Sequence, residues 1–229
     1  MLLPRRCAVC DRSGAALCPA CAASIRAAPA GAVPAAFVYD GAGRRVVLAL
    51  KYRNARGLLA PVASAMSQLV DRRRFDIVTW APTGPGRRRS RGYDQAELLA
   101  RAVARHLRLP CRGLLRRAHG SGPQAGLGRQ GRLGGPVFTA VRLVRGRVLV
   151  VDDVVTTGAT LRAATDTLLR AGASHVQAIA AAATPSATGS HGPDATPAPS
   201  YTRDETRDAQ RELAWTSRSA VVTSRSRPP

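Results

Sequence analysis

Arg147-Val-Leu-Val-Val-Asp-Asp-Val-Val-Thr-Thr-Gly-Ala-Thr-Leu-Arg162 is the stretch from which the rest of the chain is read. Val148 to Val151 is a short, β-branched apolar run, the pattern of a strand buried on both faces of a parallel sheet. It breaks off at two carboxylates, Asp152 and Asp153. Thr156-Thr157-Gly158-Ala159-Thr160 then opens a helical pattern through Leu161, Thr165, Leu168 and Leu169, with Gly172 placed as its C-cap. A strand, a hydroxyl-bearing glycine turn and a helix N-terminus make an anion site, because unpaired N–H groups and the helix dipole point out of the turn. The acidic pair suits diol hydroxyls or a hydrated Mg²⁺. One ligand needs both halves: a ribose carrying a 5′-phosphate. Simple helix capping explains one polar residue here but not six. A Walker-B strand also ends in acids, but its partner loop needs a Gly-Lys pair. The only lysine is Lys51, in Ala-Leu-Lys-Tyr.

The chain has 229 residues, enough for one substantial core with small appendages. No apolar run is long enough to span a bilayer. The opening Met-Leu-Leu-Pro-Arg-Arg-Cys lacks the apolar core of a signal peptide, so the expectation is a cytoplasmic protein. Net charge is +21 and nearly all of it is arginine. Six of the arginines and five of the acids fall after Thr184, so the excess belongs to the part before it. Such a balance fits polyanionic partners, nucleic acid included, and equally fits a genome biased towards arginine codons.

Cys7-x-x-Cys10 and Cys18-x-x-Cys21 form two knuckles that suit a tetrahedral, structural Zn²⁺. The ribbon between them has almost no core, so the metal would supply its folding energy. Residues 1–34 therefore read as zinc ribbon and linker. Phe37–Tyr39 reads as a short strand, Val46–Tyr52 as helical, and Leu58–Val70 as an amphipathic helix. Phe75–Trp80 is a further strand, followed by a loop with Arg87, Arg88, Arg89 and Arg91, then a helix over Ala96–Leu107. If that loop and the threonine loop open at one sheet edge, Arg87 and Arg91 face the phosphate turn and suit pyrophosphate. Leu114-Leu115 reads as a short strand. Arg116 to Gly135 lacks periodicity and reads as a lid or a disordered loop. Its Gly126-x-Gly-x-x-Gly131 lacks the strand and helix of a dinucleotide fingerprint. His175–Ala183 is the last strand. Residues 35–184 thus form one α/β domain, and 185–229 have the composition of a disordered tail.

Leu149 to Thr160 resembles the phosphoribosyl-pyrophosphate (PRPP) motif of type I phosphoribosyltransferases. With Leu3-Pro4, the four cysteines, Leu50-Lys51-Tyr52, Arg91-Gly-Tyr-Asp-Gln95 and Gln124…Arg132…Phe138, the chain resembles the ComF family from Leu2 to about Thr184. It departs from the family where Tyr93-Asp94 replaces a Phe-Asn pair, where Ala81-Pro82-Thr83 replaces Pro-Val-Pro, and where Gly134-Gly135-Pro136 replaces an Asn before Phe138. The resemblance implies a parallel sheet flanked by helices and a role in DNA uptake during competence, or in DNA utilisation. It implies PRPP bound with Mg²⁺: the phosphate on Thr156, Thr157, Gly158, Ala159 and Thr160, and the ribose hydroxyls on Asp152 and Asp153. The expected activity is phosphoribosyl transfer to an unidentified acceptor. The other reading is a binding module that senses a nucleotide while its basic surface engages single-stranded DNA or a helicase-type partner. Only 4% of residues are aromatic, which leaves little for base stacking.

Overall fold

The computed structural model describes residues 6–84, 86, 88–89, 92–118, 136–185 and 201–202. In chain order the strands are β1 (Ala35–Val38), β2 (Ile77–Trp80), β3 (Leu115–Arg117), β4 (Phe138–Ala140), β5 (Arg147–Val155), β6 (His175–Ala183) and β7 (Tyr201–Thr202). The helices are α1 (Pro19–Ala23), α2 (Gly41–Tyr52), α3 (Leu59–Ser67), α4 (Gln95–Leu107) and α5 (Ala159–Arg170). Strands β1, β6, β5 and β2 lie side by side in that order and all run parallel. Residues 110–112 extend the sheet beyond β2 through Val78 N–H to Pro110 O and Arg112 N–H to Val78 O. β3 and β4 make a separate antiparallel pair.

Alternation along β5 splits the core in two. Leu149 and Val151 face α2, α3 and α4, through Val47, Leu58, Met66, Leu99 and Val103. Val148 and Val150 face α5 and the β3–β4 pair, through Leu161, Leu168, Leu115 and Phe138. Each of these four β5 side chains is fully buried, which is why the run carries no polar residue until Asp152. From β2 the chain crosses through α4 to the 110–112 edge. From β5 it crosses through α5 to β6, in the other direction and on the other face. The order therefore reverses between β2 and β5, and the carboxyl ends of the strands at such a switch point are where α/β sheets open a crevice.

β5 runs past the acidic pair to Val155, with Val154 and Val155 paired to Ala182 and Ala183. Asp152 and Asp153 are thus strand residues, not the residues after a strand. On the other side β2 stops at Trp80, opposite Val151. Past that point, among the described residues, β5 has no strand beside it on the β2 side, and the gap is the crevice.

The 22–34 segment is less of a free linker than its composition suggests, since Val38 N–H bonds Arg26 O and Ala27 bridges Phe37. The ribbon lies on the core: Arg53 Nη2 donates to Ala8 O at 2.5 Å and Arg45 Nη1 to Val9 O at 3.4 Å. In the tail, Tyr201–Thr202 pairs with His175–Val176. Residues 186–200 and 203–229, including most of the expected disordered tail, lie outside the described residues.

Candidate functional site

A cavity of about 360 Å³ opens in the crevice. Its wall takes Tyr39 from the end of β1, Ala81, Pro82 and Thr83 after β2, and Asp152, Asp153 and Val154 from β5. Thr156 and Thr160 come from the turn into α5, Thr184 from the end of β6, Arg117 from β3, Lys51 from α2, and Asp94, Gln95 and Ala96 from the start of α4. Eight elements and their loops meet there, the core of them because parallel strands deliver all their carboxyl ends to one edge.

The structure brings together four of the residues singled out in the threonine loop and its strand: Asp152, Asp153, Thr156 and Thr160. Thr157, Gly158 and Ala159 shape the turn without lining the cavity. Gly158 has φ +74° and is the N-cap of α5, with Arg162 Nη1 3.1 Å from where a Cβ would stand, so glycine fits and a side chain would be strained. Thr157 Oγ1 accepts from Ala159 N–H at 3.4 Å. Arg87 and Arg91, the expected pyrophosphate contacts, lie outside the described residues, as do 119–135 of the expected lid. Arg88 and Arg89, between them, are exposed.

Three of the nine acids before Pro185, Asp94, Asp152 and Asp153, line this one cavity. In an arginine-rich chain the cation paired with Asp153 is the sole lysine: Lys51 Nζ stands 3.0 Å from Asp153 Oδ1, with both side chains mostly buried. Asp153 N–H donates to Asp152 Oδ1 at 2.7 Å. Burial and the neighbouring Asp153 push the Asp152 carboxyl up to about 8, outweighing that hydrogen bond and the pull of Lys51. The two carboxyls thus differ in surroundings: Lys51 stands against Asp153, while burial favours the protonated form of Asp152. From the sequence Lys51 serves to dismiss a P-loop and as part of the Leu50-Lys51-Tyr52 motif, with no role at the site assigned to it; its solitude in the chain is the available signal.

Asp94 does not face an anion freely. Its Oδ2 accepts from Thr83 N–H at 2.9 Å and its Oδ1 from Ala96 N–H at 3.1 Å, so it caps α4 and ties that helix to the loop after β2. Burial still raises its pKa above the usual carboxylate value despite these bonds. Tyr93 Oη donates to Leu50 O at 2.9 Å, satisfying a carbonyl in the last turn of α2, the turn that carries Lys51. Tyr93 and Asp94 are therefore structural ties within this site. Beside them, Gln95 is 3% exposed and neither its Nε2 nor its Oε1 has a hydrogen-bond partner among the described residues. A stranded buried polar atom costs about 1–3 kcal/mol.

In the ribbon, the Sγ atoms of Cys7, Cys10, Cys18 and Cys21 lie within 4.8 Å of one another and could hold a metal ion. The Cys10 and Cys18 sulfurs are 3.7 Å apart, close to the ~3.8 Å edge of a tetrahedron with Zn–S of ~2.3 Å. Crowding divides the thiols. Burial opposes ionisation at Cys7, but N–H groups including those of Cys18 and Cys10 more than offset it and bring it to about 6. Burial and the three neighbouring thiols push Cys21 up to about 12. A divalent cation would relieve both.

No helix among the described residues is long and apolar enough to cross a membrane. None of the curated proteins matches the chain in sequence. The chain is similar in structure to the purine phosphoribosyltransferase of Pyrococcus horikoshii OT3, at 18% identity over 62% of this chain and 78% of that one, with a TM-score of 0.38. It is also similar to the orotate phosphoribosyltransferase of Aeropyrum pernix (17%, 62% and 76%, TM-score 0.37). A third is the glutamine PRPP amidotransferase of B. subtilis, of which it covers 30% with 58% of its own length, at 22% identity and a TM-score of 0.40. Residues 94–196 match the phosphoribosyl transferase domain family. From α4 through β6, the stretch that carries Asp152, Asp153 and the threonine loop, the chain is phosphoribosyltransferase-like.

Proposed function

We propose that the cavity binds a ribose 5-phosphate moiety, with PRPP as the substrate from which a phosphoribosyl group passes to an acceptor. The observation that carries this is the meeting of the acidic pair and the threonine turn on one cavity wall, within the stretch that matches the phosphoribosyl transferase domain. The 5′-phosphate sits at the 156–160 turn, where the N-terminal N–H groups of α5 and the hydroxyls of Thr156 and Thr160 give donors without a fixed charge. Asp153, paired with Lys51, accepts from the ribose hydroxyls. As the bond to the leaving group breaks, positive charge grows on the ribose ring, and Asp153 lies where its negative potential stabilises it, with Asp152 beside it. Arg87 and Arg91, in the loop after β2, are proposed to take the departing pyrophosphate. Mg²⁺ bound to that pyrophosphate would neutralise its charge, and the hard carboxylate oxygens of the acidic pair suit it. Structural Zn²⁺ on the four cysteines is proposed to hold the ribbon.

Calorimetry with PRPP and Mg²⁺ tests the pocket. The wild type should give a saturable heat that Asp152→Asn/Asp153→Asn loses, and equal heats for both proteins would remove the assignment. Pyrophosphate release on adding candidate acceptors separates an enzyme from a nucleotide sensor using the same cavity.

The order of the cysteine, Leu-Lys-Tyr, Arg-Gly-Tyr-Asp-Gln and PRPP motifs supports a ComF-like cytoplasmic role in DNA uptake or utilisation. The net charge of +21 supports contact with single-stranded DNA or with a helicase-type partner carrying it. Binding to an oligonucleotide should fall steeply with salt, and a flat salt profile would count against direct DNA contact.

A further inference from the structure

Gln95 is the first residue of α4 and part of the cavity wall. It is buried to 3% exposure, and both polar atoms of its carboxamide are closed off from solvent and without a partner among the described residues. The helix does not need it, because Asp94 already caps α4 through Ala96 N–H and anchors Thr83. A carboxamide at the surface is satisfied by water and a structural one in the core by its neighbours. This one has neither. Buried polar groups left unsatisfied are rare and mark places where the chain gives up stability for function.

We infer that Gln95 reads the ligand of this cavity. Rotation about its side-chain torsions moves the carboxamide from the wall into the cavity, where it donates through Nε2 and accepts through Oε1 at the same time. Its counterpart must offer an acceptor and a donor side by side, as neighbouring sugar hydroxyls do, or the amide edge of a nucleobase. A phosphate group at neutral pH offers acceptors and would leave Oε1 stranded. Gln95 is therefore a specificity residue for the uncharged part of the ligand. The inference rests on the cavity being a ribose 5-phosphate site.

Gln95→Met keeps the length and apolar contacts and removes both polar atoms. Its affinities for ribose 5-phosphate, inosine 5′-monophosphate and inorganic pyrophosphate are to be measured by calorimetry, beside its melting temperature. Ribose 5-phosphate and the nucleotide should both weaken about tenfold if the carboxamide reads sugar hydroxyls. The nucleotide alone should weaken if it reads the base. Pyrophosphate should change less than twofold, and the variant should melt at or above the wild-type temperature, because a stranded amide has gone. Gln95→Asn, which draws the carboxamide back by one methylene, should lose the same affinity and covers the case in which Gln95→Met does not fold. Unchanged binding of ribose 5-phosphate and nucleotide overturns the inference. So does equal weakening of all three ligands with a lower melting temperature, which marks a structural role. If the wild type binds neither ribose 5-phosphate nor the nucleotide, the reading of the cavity fails and this inference falls with it.

Discussion

At the scale of single residues, Asp152 carries the largest consequence. Burial and Asp153 raise its carboxyl to about 8, where an unfolded aspartate titrates near pH ~4. Across that interval the folded protein holds a proton that the unfolded chain has released, so stability falls as pH rises through it. Asp152→Asn removes the effect. The variant should melt several degrees above wild type at pH 8 and within about a degree of it at pH 4. Parallel melting curves across that range would refute the account. Asp76 has the opposite sign: its bonds to Arg147 lower it to about 2, so its contribution is complete above pH ~4 and lost as pH falls through about 2. Lys51 belongs at this scale too. Lys51→Met leaves Asp153 without its cation, and ribose 5-phosphate binding should weaken at least tenfold by calorimetry, since a partly buried carboxylate then opposes a phosphorylated ligand. Unchanged affinity would show that the ion pair plays no part in binding.

At the scale of elements, the regular parts were legible because their periods are unmixed. The sequence pattern and the structure agree on His175–Ala183, and the helix read over Ala96–Leu107 begins one residue earlier, at Gln95. Two charges in a row read as a strand's end after Val151, whereas pairing with β6 carries the β5 backbone on to Val155. Lys51, Gln95 and Tyr93 could not be placed from sequence, because their roles depend on α2 and α4 converging on the β5 edge and neither helix announces that in its own period. Their meeting relies on tight packing of α2 on β1. A Cβ at Gly43 would collide with the carbonyl oxygen of Val38 and stand 2.9 Å from Phe37 Cδ2. Gly43→Ala should therefore destabilise by about 1–3 kcal/mol, read as a lower urea midpoint at unchanged slope. An unshifted midpoint would mean that α2 slides without cost.

At the scale of the whole molecule, the ribbon and the sheet are joined through α2 and its flanks. Arg53 and Arg45 hold the carbonyls of Ala8 and Val9, and Ala16 stands so near Gly57 that an added Cβ would lie 2.7 Å from its methyl. Loss of the ribbon's order should therefore be felt in the core. Cys7→Ser should carry about one zinc fewer by metal analysis and melt below the wild type. Full zinc content in that variant would exclude four-cysteine ligation.

The arginine-rich composition leaves the molecule with one further property. Its only ε-amine is Lys51, and that amine sits in the cavity wall. Reagents that modify side-chain amines but not guanidinium groups thus have a single side-chain target here. Occupancy of the cavity can be followed as protection of one atom by mass spectrometry, with no need for an assay of turnover.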